Sequence, residues 1–186
     1  MKTSTKILLG GACAAVFLFS RKARAMSAGT ASAVCNLARE QVGLKEVPKD
    51  SNSGPQIQKF TGGRQEAWCG HFVAWVFRNA GLPLPTDRIP RPGPGGENSL
   101  ASVAYTEQLC KDRGWWLPPS AAPAPGDMVF YATRGTGDAK PGRHIGIVVG
   151  VTPTTIETVE GNWGSGVAKL TTKRSDKRIT GYGRVT

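Results

Sequence analysis

The sequence predicts an α+β fold, in which N-terminal helices pack against a C-terminal antiparallel β-sheet. Apolar residues recur at the spacing of amphipathic helices before Asp127, and they form short strand-like runs after it. Helices first and strands afterwards are typical of α+β domains. The chain has 186 residues, of which 39% are hydrophobic, so it can bury one sizeable core.

The predicted helices cover residues 31–42, 68–80 and 99–111, with a short helical piece at 57–60. The helix over 68–80 has the strongest apolar face, and we expect it to begin at Cys69. Gly81 suits the left-handed position that follows a helix end. Prolines recur between positions 83 and 96 and predict an extended surface loop there.

The predicted strands cover residues 128–132, 144–151, 155–159, 167–172 and 179–185. Pro153 and Thr154 mark a turn between the second and third of these runs. We expect the strands to form an antiparallel sheet that packs against the helix bearing Cys69.

Residues 1–25 differ from the rest of the chain and predict a signal peptide or a membrane anchor ahead of a single domain at 26–186. Lysines precede an apolar stretch at 7–19, and Ala23-Arg24-Ala25 offers small residues at signal-peptidase spacing. As a helix this stretch rises about 20 Å, short of a hydrocarbon core of about 30 Å, which favours cleavage over anchoring. We therefore expect export to the periplasm, the cell wall or the medium. Membrane contact through residues 7–19, or association with a virion, is the alternative.

The charge of the chain favours an acidic polymer as a partner. The net charge is +11, and residues 1–25 carry five Lys or Arg and no acid, which leaves +6 on residues 26–186. The basic residues are scattered and form no nucleic-acid-binding motif, so we expect no nucleic-acid partner. The two histidines are far apart and there is no Cys-x-x-Cys, so we expect neither a metal site nor a cofactor.

Cys69 is the candidate nucleophile. The N–H groups and the positive dipole end at a helix N-terminus favour the thiolate, which is the form that attacks carbonyl carbon. Two further cysteines in 26–186, Cys35 and Cys110, fall in apolar helical patterns. This favours two buried thiols over a disulfide between them.

A thiol nucleophile needs a base within hydrogen-bond reach and a third group that orients the base. His71 is two residues from Cys69 on the same helix and therefore faces away from it, which favours a surface or packing role. His144 opens an apolar strand, so its imidazole can project over the thiol while the strand anchors in the core. We therefore predict His144 as the base.

The hairpin that follows His144 supplies candidates for the orienting group. A register that pairs His144 with Asn162 places Glu160 diagonally on the same face of the sheet. A slip by one residue would put both side chains on the wrong face. The hypothesis therefore requires this register or a bulge that restores it. An ordinary polar turn at Glu160 and Asn162 is the alternative.

Four ordered blocks of the chain resemble a known family. They are Trp68-Cys69-Gly70-x-Phe72-Val73-x-Trp75, Pro125-Gly126-Asp127, His144-Ile145-Gly146-Ile147 and Glu160-x-Asn162. Together they resemble the CHAP-type cysteine peptidases and amidases, which belong with the NlpC-like, papain-like enzymes that cut bacterial peptidoglycan. Residues 43–48 resemble the stretch that leads into the catalytic helix in one branch of that group. The resemblance covers roughly residues 31–185 and implies a papain-like α+β fold.

The resemblance also implies a role for each site residue. Cys69 would be the nucleophile, His144 the general base and then acid, and Glu160 the residue that orients His144. Asn162 would be a fourth polar member of the site and the second choice for the orienting role. The oxyanion would lie against the backbone N–H of Cys69 and one further donor, for which Gln65 is a guess.

The implied function is a peptidoglycan hydrolase that cleaves an amide bond, as an endopeptidase or an N-acetylmuramoyl-L-alanine amidase. Gly70 and His71 depart from the family pattern, in which alanine and a small or polar residue are more usual. Two alternatives remain open. One is a catalytically silent wall-binding or virion structural module, and the other is an enzyme acting on a different acyl substrate. The sequence predicts no oligomeric state.

Overall fold

The structure is a computed structural model that describes residues 26–85, 100–132 and 143–186. The predicted signal or anchor at 1–25 lies outside the described residues, as does most of the proline-rich loop. Within these three ranges, no helix combines the length and the apolar character needed to cross a membrane.

Four helices lie in the described part of the chain: α1 (Ala28–Glu40), α2 (Gln58–Thr61), α3 (Cys69–Asn79) and α4 (Val103–Asp112). Serine side chains cap the starts of α1 and α4, where Ser27 and Ser102 accept hydrogen bonds from backbone N–H groups three residues on. After α3, Gly81 has a φ of 80°, as its sequence position predicts. All the predicted helices are present, with ends shifted by one to four residues.

The strands described are β1 (Trp116–Leu117), β2 (Met128–Tyr131), β3 (His144–Val151), β4 (Thr155–Trp163), β5 (Gly166–Lys173) and β6 (Ile179–Gly183). They form one antiparallel sheet in the order β1-β6-β2-β3-β4-β5. The two-residue strand β1 was not predicted from the sequence, and β4 extends four residues beyond its predicted end. The α+β prediction is confirmed.

Helix α3 is the element that joins the two halves of the fold, because it packs directly on β3 and β4. Its apolar side chains Phe72, Val73 and Val76 are fully buried in the core between the helices and the sheet. A Cβ at Gly161 on β4 would lie 2.5 Å from the Cβ of Phe72 and 2.8 Å from the Trp68 ring. The helix can therefore approach the strand this closely only because residue 161 has no side chain.

The first turn of α3 is equally close to the chain that precedes α4. A Cβ at Gly70 would lie 2.1 Å from the carbonyl oxygen of Leu100 and 2.8 Å from that of Ala101. Glycine at this position is therefore a packing requirement of this chain. It accounts for one of the two departures from the family pattern.

The β3–β4 hairpin contains the irregularity that the sequence hypothesis allowed. Near the turn, Gly150 pairs with Glu157 and Val151 with Ile156. Beyond a register shift, Val148 pairs with Thr158 and Ile147 with Val159. These last two pairs belong to the register that carries His144 towards Asn162 and puts Glu160 on the same face. The required register is therefore present, and a bulge at Val149 produces it.

Candidate active site

Cys69 is the first residue of α3 and is 2% exposed. The preceding residue, Trp68, is the N-cap, and its side chain makes no capping hydrogen bond. No acidic residue occupies the first turn of the helix. The positive end of the helix dipole therefore acts on the thiol without an acidic side chain of that turn to oppose it.

His144 and Glu160 form a buried pair. The imidazole Nε2 lies 2.8 Å from the Glu160 carboxylate, and both side chains are at most 2% exposed. The ring of Trp163 lies beside the imidazole, with centroids 5.6 Å apart. The Nε2–H group thus donates to Glu160, the first choice of the sequence hypothesis for the orienting group.

The second ring nitrogen of His144 remains for the thiol. Nδ1 is buried and forms no hydrogen bond of standard geometry within the part of the chain that the structure describes. Cys69 nevertheless interacts with the ring, and this interaction raises the pKa of His144. The imidazole therefore binds Glu160 through Nε2 and interacts with the Cys69 thiol, and Nδ1 is the ring nitrogen that Glu160 leaves available.

The electrostatics of the pair favour an imidazolium and a carboxylate. Burial is the largest effect on His144 and lowers its pKa, but hydrogen bonding and charge interactions with Cys69 and Glu160 outweigh it and raise the pKa to about 9. Burial acts in the opposite sense on Glu160. His144 and two hydroxyl donors nonetheless hold the pKa of that carboxyl below its usual value.

The two hydroxyl donors belong to Tyr131 and Thr158, which the sequence hypothesis missed. Thr158 donates to Oε1 of Glu160 at 2.6 Å and Tyr131 at 3.1 Å, which leaves Oε2 for His144. Tyr131 pairs with His144 across β2 and β3, and Thr158 lies two residues before Glu160 on β4. Strand alternation and register are the signals that could have found both.

A glycine makes room for the Glu160 side chain. A Cβ at Gly146 would lie 2.6 Å from Cγ of Glu160 and 3.3 Å from its Oε1. Position 146 therefore has to lack a side chain if Glu160 is to reach His144 in this rotamer.

Asn162 follows Glu160 where the strand is irregular, and its role in the site stays a prediction. Its φ of 58° is left-handed, and a register shift separates Glu160 from Trp163 on β4. Its amide nitrogen donates to Oδ1 of Asn52 at 2.7 Å and to Oε1 of Glu46 at 3.2 Å. The structure therefore brings together Cys69, His144 and Glu160, and directs the amide of Asn162 towards the loop that contains Glu46 and Asn52.

His71 lies on α3 and forms a second histidine–glutamate pair. Its Nε2 is 2.7 Å from Oε1 of Glu66, and the Arg64 guanidinium donates to the same oxygen at 3.0 Å. His71 is 5% exposed. A packing role is therefore correct for His71, and a surface role is wrong.

The remaining candidates are unchanged or simpler than expected. Cys35 and Cys110 are buried free thiols, so no disulfide joins them. Burial raises the pKa of both, that of Cys110 to about 12. Gln65 is exposed on the loop before Trp68, and its proposed part in an oxyanion hole stays a prediction. Among the described residues, no group of three or more His, Cys, Asp or Glu could hold a metal ion.

Two solved structures are similar to the chain, and the first of them supports the fold. The crystal structure of Ly7917 superposes with a TM-score of 0.51 at 15% identity, over 83% of this chain and 62% of that one. A Staphylococcus aureus protein described as similar to a lipoprotein of the NLP/P60 family gives 0.48 at 16% identity, over 91% and 45%. The chain thus spans less than two thirds of either protein.

Comparison by sequence identifies the family. No curated protein matches the chain. The family model of the CHAP domain matches residues 61–162, which is more than half of the chain. The matched range includes Cys69, His144, Glu160 and Asn162. The resemblance seen in the sequence is therefore confirmed, and the chain belongs to the CHAP domain family.

Proposed function

We propose that the protein hydrolyses an amide bond of peptidoglycan, with Cys69 as the nucleophile. One observation carries the proposal: the His144 imidazole is held by Glu160 at 2.8 Å through Nε2, and Cys69 interacts with the same ring. A nucleophile, a base and an orienting carboxylate are the three parts that cysteine acyl transfer needs. Family membership supports peptidoglycan as the substrate.

In the acylation step, the Cys69 sulfur attacks the carbonyl carbon of the amide and forms a C–S bond. The negative charge on the carbonyl oxygen is stabilised by backbone N–H donors at the start of α3. The C–N bond then breaks, and the leaving amine takes the proton of the His144 imidazolium. The products are a free amine and a thioester on Cys69.

In the deacylation step, His144 accepts a proton from water while the water oxygen attacks the thioester carbon. The C–S bond breaks, the carboxylic acid leaves, and the proton on His144 restores the starting state. Glu160 takes no proton in either step. It holds the ring orientation and stabilises the imidazolium, consistent with the lowered pKa of its carboxyl group.

The experiment compares the full chain with Cys69→Ala on purified peptidoglycan. We expect the substitution to reduce the release of soluble fragments by at least about 10⁴-fold, because no other group can form the acyl-enzyme. Cys35→Ala is the matched control, since it removes a buried thiol elsewhere and should retain activity. Equal results for the wild-type protein and Cys69→Ala would mean a silent wall-binding or virion module.

Mass spectrometry of the products decides which bond is cut. New peptide amino termini within the stem or cross-bridge indicate an endopeptidase. Separation of lactyl-bearing sugars from L-alanine indicates an N-acetylmuramoyl-L-alanine amidase. Intact peptidoglycan together with turnover of another acyl compound would move the substrate class away from the wall.

We further propose that residues 1–25 direct export, or anchor the protein, ahead of one hydrolase domain at 26–186. The +6 charge of that domain supports attraction to an anionic wall. Amino-terminal sequencing of the protein recovered from cell fractions tests this. A new terminus near residue 26 is expected for a cleaved signal, and an intact terminus in the membrane fraction for an anchor.

A further inference from the structure

Glu46 is a buried carboxylate that contacts both ends of the candidate site. It is 6% exposed and lies outside the matched residues of the family model. Its Oε1 accepts from the Trp68 indole at 2.7 Å and from the Asn162 amide at 3.2 Å. Its Oε2 accepts from the backbone N–H of Asn52 at 3.1 Å. Three donors therefore converge on one side chain.

Trp68 connects Glu46 to the nucleophile. It is fully buried, immediately precedes Cys69 and is the N-cap residue of α3. Its ring stacks on Phe60, with centroids 5.6 Å apart and planes inclined by 11°. With no side-chain cap at the start of α3, the indole hydrogen bond to Glu46 is a polar tether at the residue where the helix begins.

The same two residues enclose the strand segment that ends at Asn162. The Trp68 ring lies against Gly161, so closely that a Cβ there would be 2.8 Å from the ring. Asn162 follows Gly161 in the chain, and its amide nitrogen donates to Glu46 and to Asn52. Glu160 is the residue immediately before Gly161. Glu160 is paired with Ala168 on β5, and the contacts of Trp68 and Glu46 hold the two residues that follow it.

We propose that Glu46 is a positioning residue, which fixes Cys69 through Trp68 and Glu160 through Asn162, so that both meet His144 in register. The inference rests on the proposed function of the site. A carboxylate suits the role because both of its oxygens accept hydrogen bonds. A glutamine would keep one acceptor oxygen but turn its NH2 group towards another donor, the N–H of Asn52.

The test uses full-length Glu46→Gln, Trp68→Phe and the double variant. We expect Glu46→Gln to lower kcat on peptidoglycan about tenfold with KM unchanged, because a small displacement between nucleophile and base slows chemistry without affecting binding. Trp68→Phe keeps an aromatic ring but removes the indole donor, and we expect it to lower kcat in the same way. The double variant should lose less than the product of the two single effects, since both substitutions act on the contacts that join Glu46 to the start of α3.

A second readout does not depend on hydrolysis. Alkylation of Cys69 by iodoacetamide, followed by peptide mapping to separate it from the other cysteines, reports how well the thiolate and imidazolium are matched. We expect slower alkylation in Glu46→Gln and an altered pH profile. If the wild-type protein alkylates at Cys69 in a His144-dependent way but releases nothing from peptidoglycan, the proposed function fails while the inference about Glu46 is still tested.

Asp127→Asn is the matched control for loss of a buried carboxylate. Asp127 is 1% exposed, binds Arg184, and lies at the end of β2 away from Tyr131, which pairs with His144. The substitution Asp127→Asn should lower the thermal midpoint without changing the rate of Cys69 alkylation. The inference is overturned if Glu46→Gln behaves like this control, with reduced stability but wild-type kcat, alkylation rate and pH profile.

Discussion

Two histidine–glutamate pairs of nearly equal length differ in their surroundings. His71 and Glu66 are 2.7 Å apart, with Arg64 on the same carboxylate oxygen and 39% of the Glu66 side chain exposed. His144 and Glu160 are 2.8 Å apart and almost completely buried. In the first pair a guanidinium and solvent act on the carboxylate charge, whereas the carboxylate of the second is hydrogen-bonded to the imidazole and to two hydroxyls.

The environment of a histidine–glutamate pair, and not its contact length, therefore determines its electrostatic properties. Burial lowers the pKa of His144, but its interactions with Cys69 and with the equally buried Glu160 outweigh burial and raise that pKa to about 9. Around His71, the Arg64 guanidinium lies within 3.5 Å of both ring nitrogens. The His144 ring interacts instead with the Cys69 thiol, which suits this pair to proton transfer involving a nucleophile.

Neutralising each glutamate in turn should give the largest difference between the two pairs. We expect Glu160→Gln to reduce peptidoglycan hydrolysis by about 10³-fold or more, because His144 loses its orienting charge. Glu66→Gln should change it less than about threefold, since solvent and Arg64 already weaken that carboxylate. Initial rates of fragment release measure both. Similar losses of hydrolysis in the two variants would mean that the two pairs do not differ in function.

A steric substitution should displace Glu160 without removing it. Gly146→Ala would place a Cβ 2.6 Å from Cγ of Glu160, so we expect about 10²-fold lower activity and a destabilisation of about 1–3 kcal/mol. Gly150→Ala on the same strand is the control, because its nearest contact at 2.9 Å is the carboxylate end of Glu157, a partly exposed side chain that can move. We therefore expect a lower hydrolysis rate and a lower thermal midpoint in Gly146→Ala than in Gly150→Ala.

The pH dependence should report His144 alone. Because the leaving amine takes its proton from His144, activity should fall about tenfold per pH unit above about 9. Since folding raises this pKa from 6.5, the stabilisation by the charged pair is fully present below pH 6.5 and is lost as the pH rises through about 9. His71→Gln should keep the alkaline limb of the pH–rate profile at the same pH. A limb that moves in His71→Gln would reverse the assignment.

The smallest effect is expected at the exposed pair. Arg64 and Glu66 side chains are 38% and 39% exposed, and such ion pairs contribute less than about 1 kcal/mol. Arg64→Ala should therefore shift the urea unfolding midpoint only slightly and leave hydrolysis unchanged. A large loss of hydrolysis would show that this cluster, too, positions the nucleophile.

Much of the fold could be predicted from the sequence because local periodicity is strong. The apolar stripe of α3 and the run from His144 to Val151 each specify their element and the face that it buries. The two-residue β1 has no period to detect. The bulge at Val149 was foreseen only as a condition, since hydrophobic pattern alone does not say where an extra residue is accommodated.

Of the candidate site, the residues that carry chemical signals could be proposed from the sequence, and the residues that support them could not. A cysteine at a helix start and a histidine at a strand start stand out locally. Glu46 does not, because its partners Trp68 and Asn162 are 22 and 116 positions away. The direction of the Asn162 side chain depends on a left-handed φ at a non-glycine residue, which strand alternation does not anticipate.

The bulge at Val149 also separates the tip of the hairpin from its base. Residues 151–154 are exposed and lie at the far end of β3 and β4 from His144 and Asn162. Changes in length at the tip can be absorbed where the two registers already differ. The tip is thus a permissive insertion position, at which an epitope or an immobilisation tag can be grafted while the opposite end of the hairpin keeps its alignment.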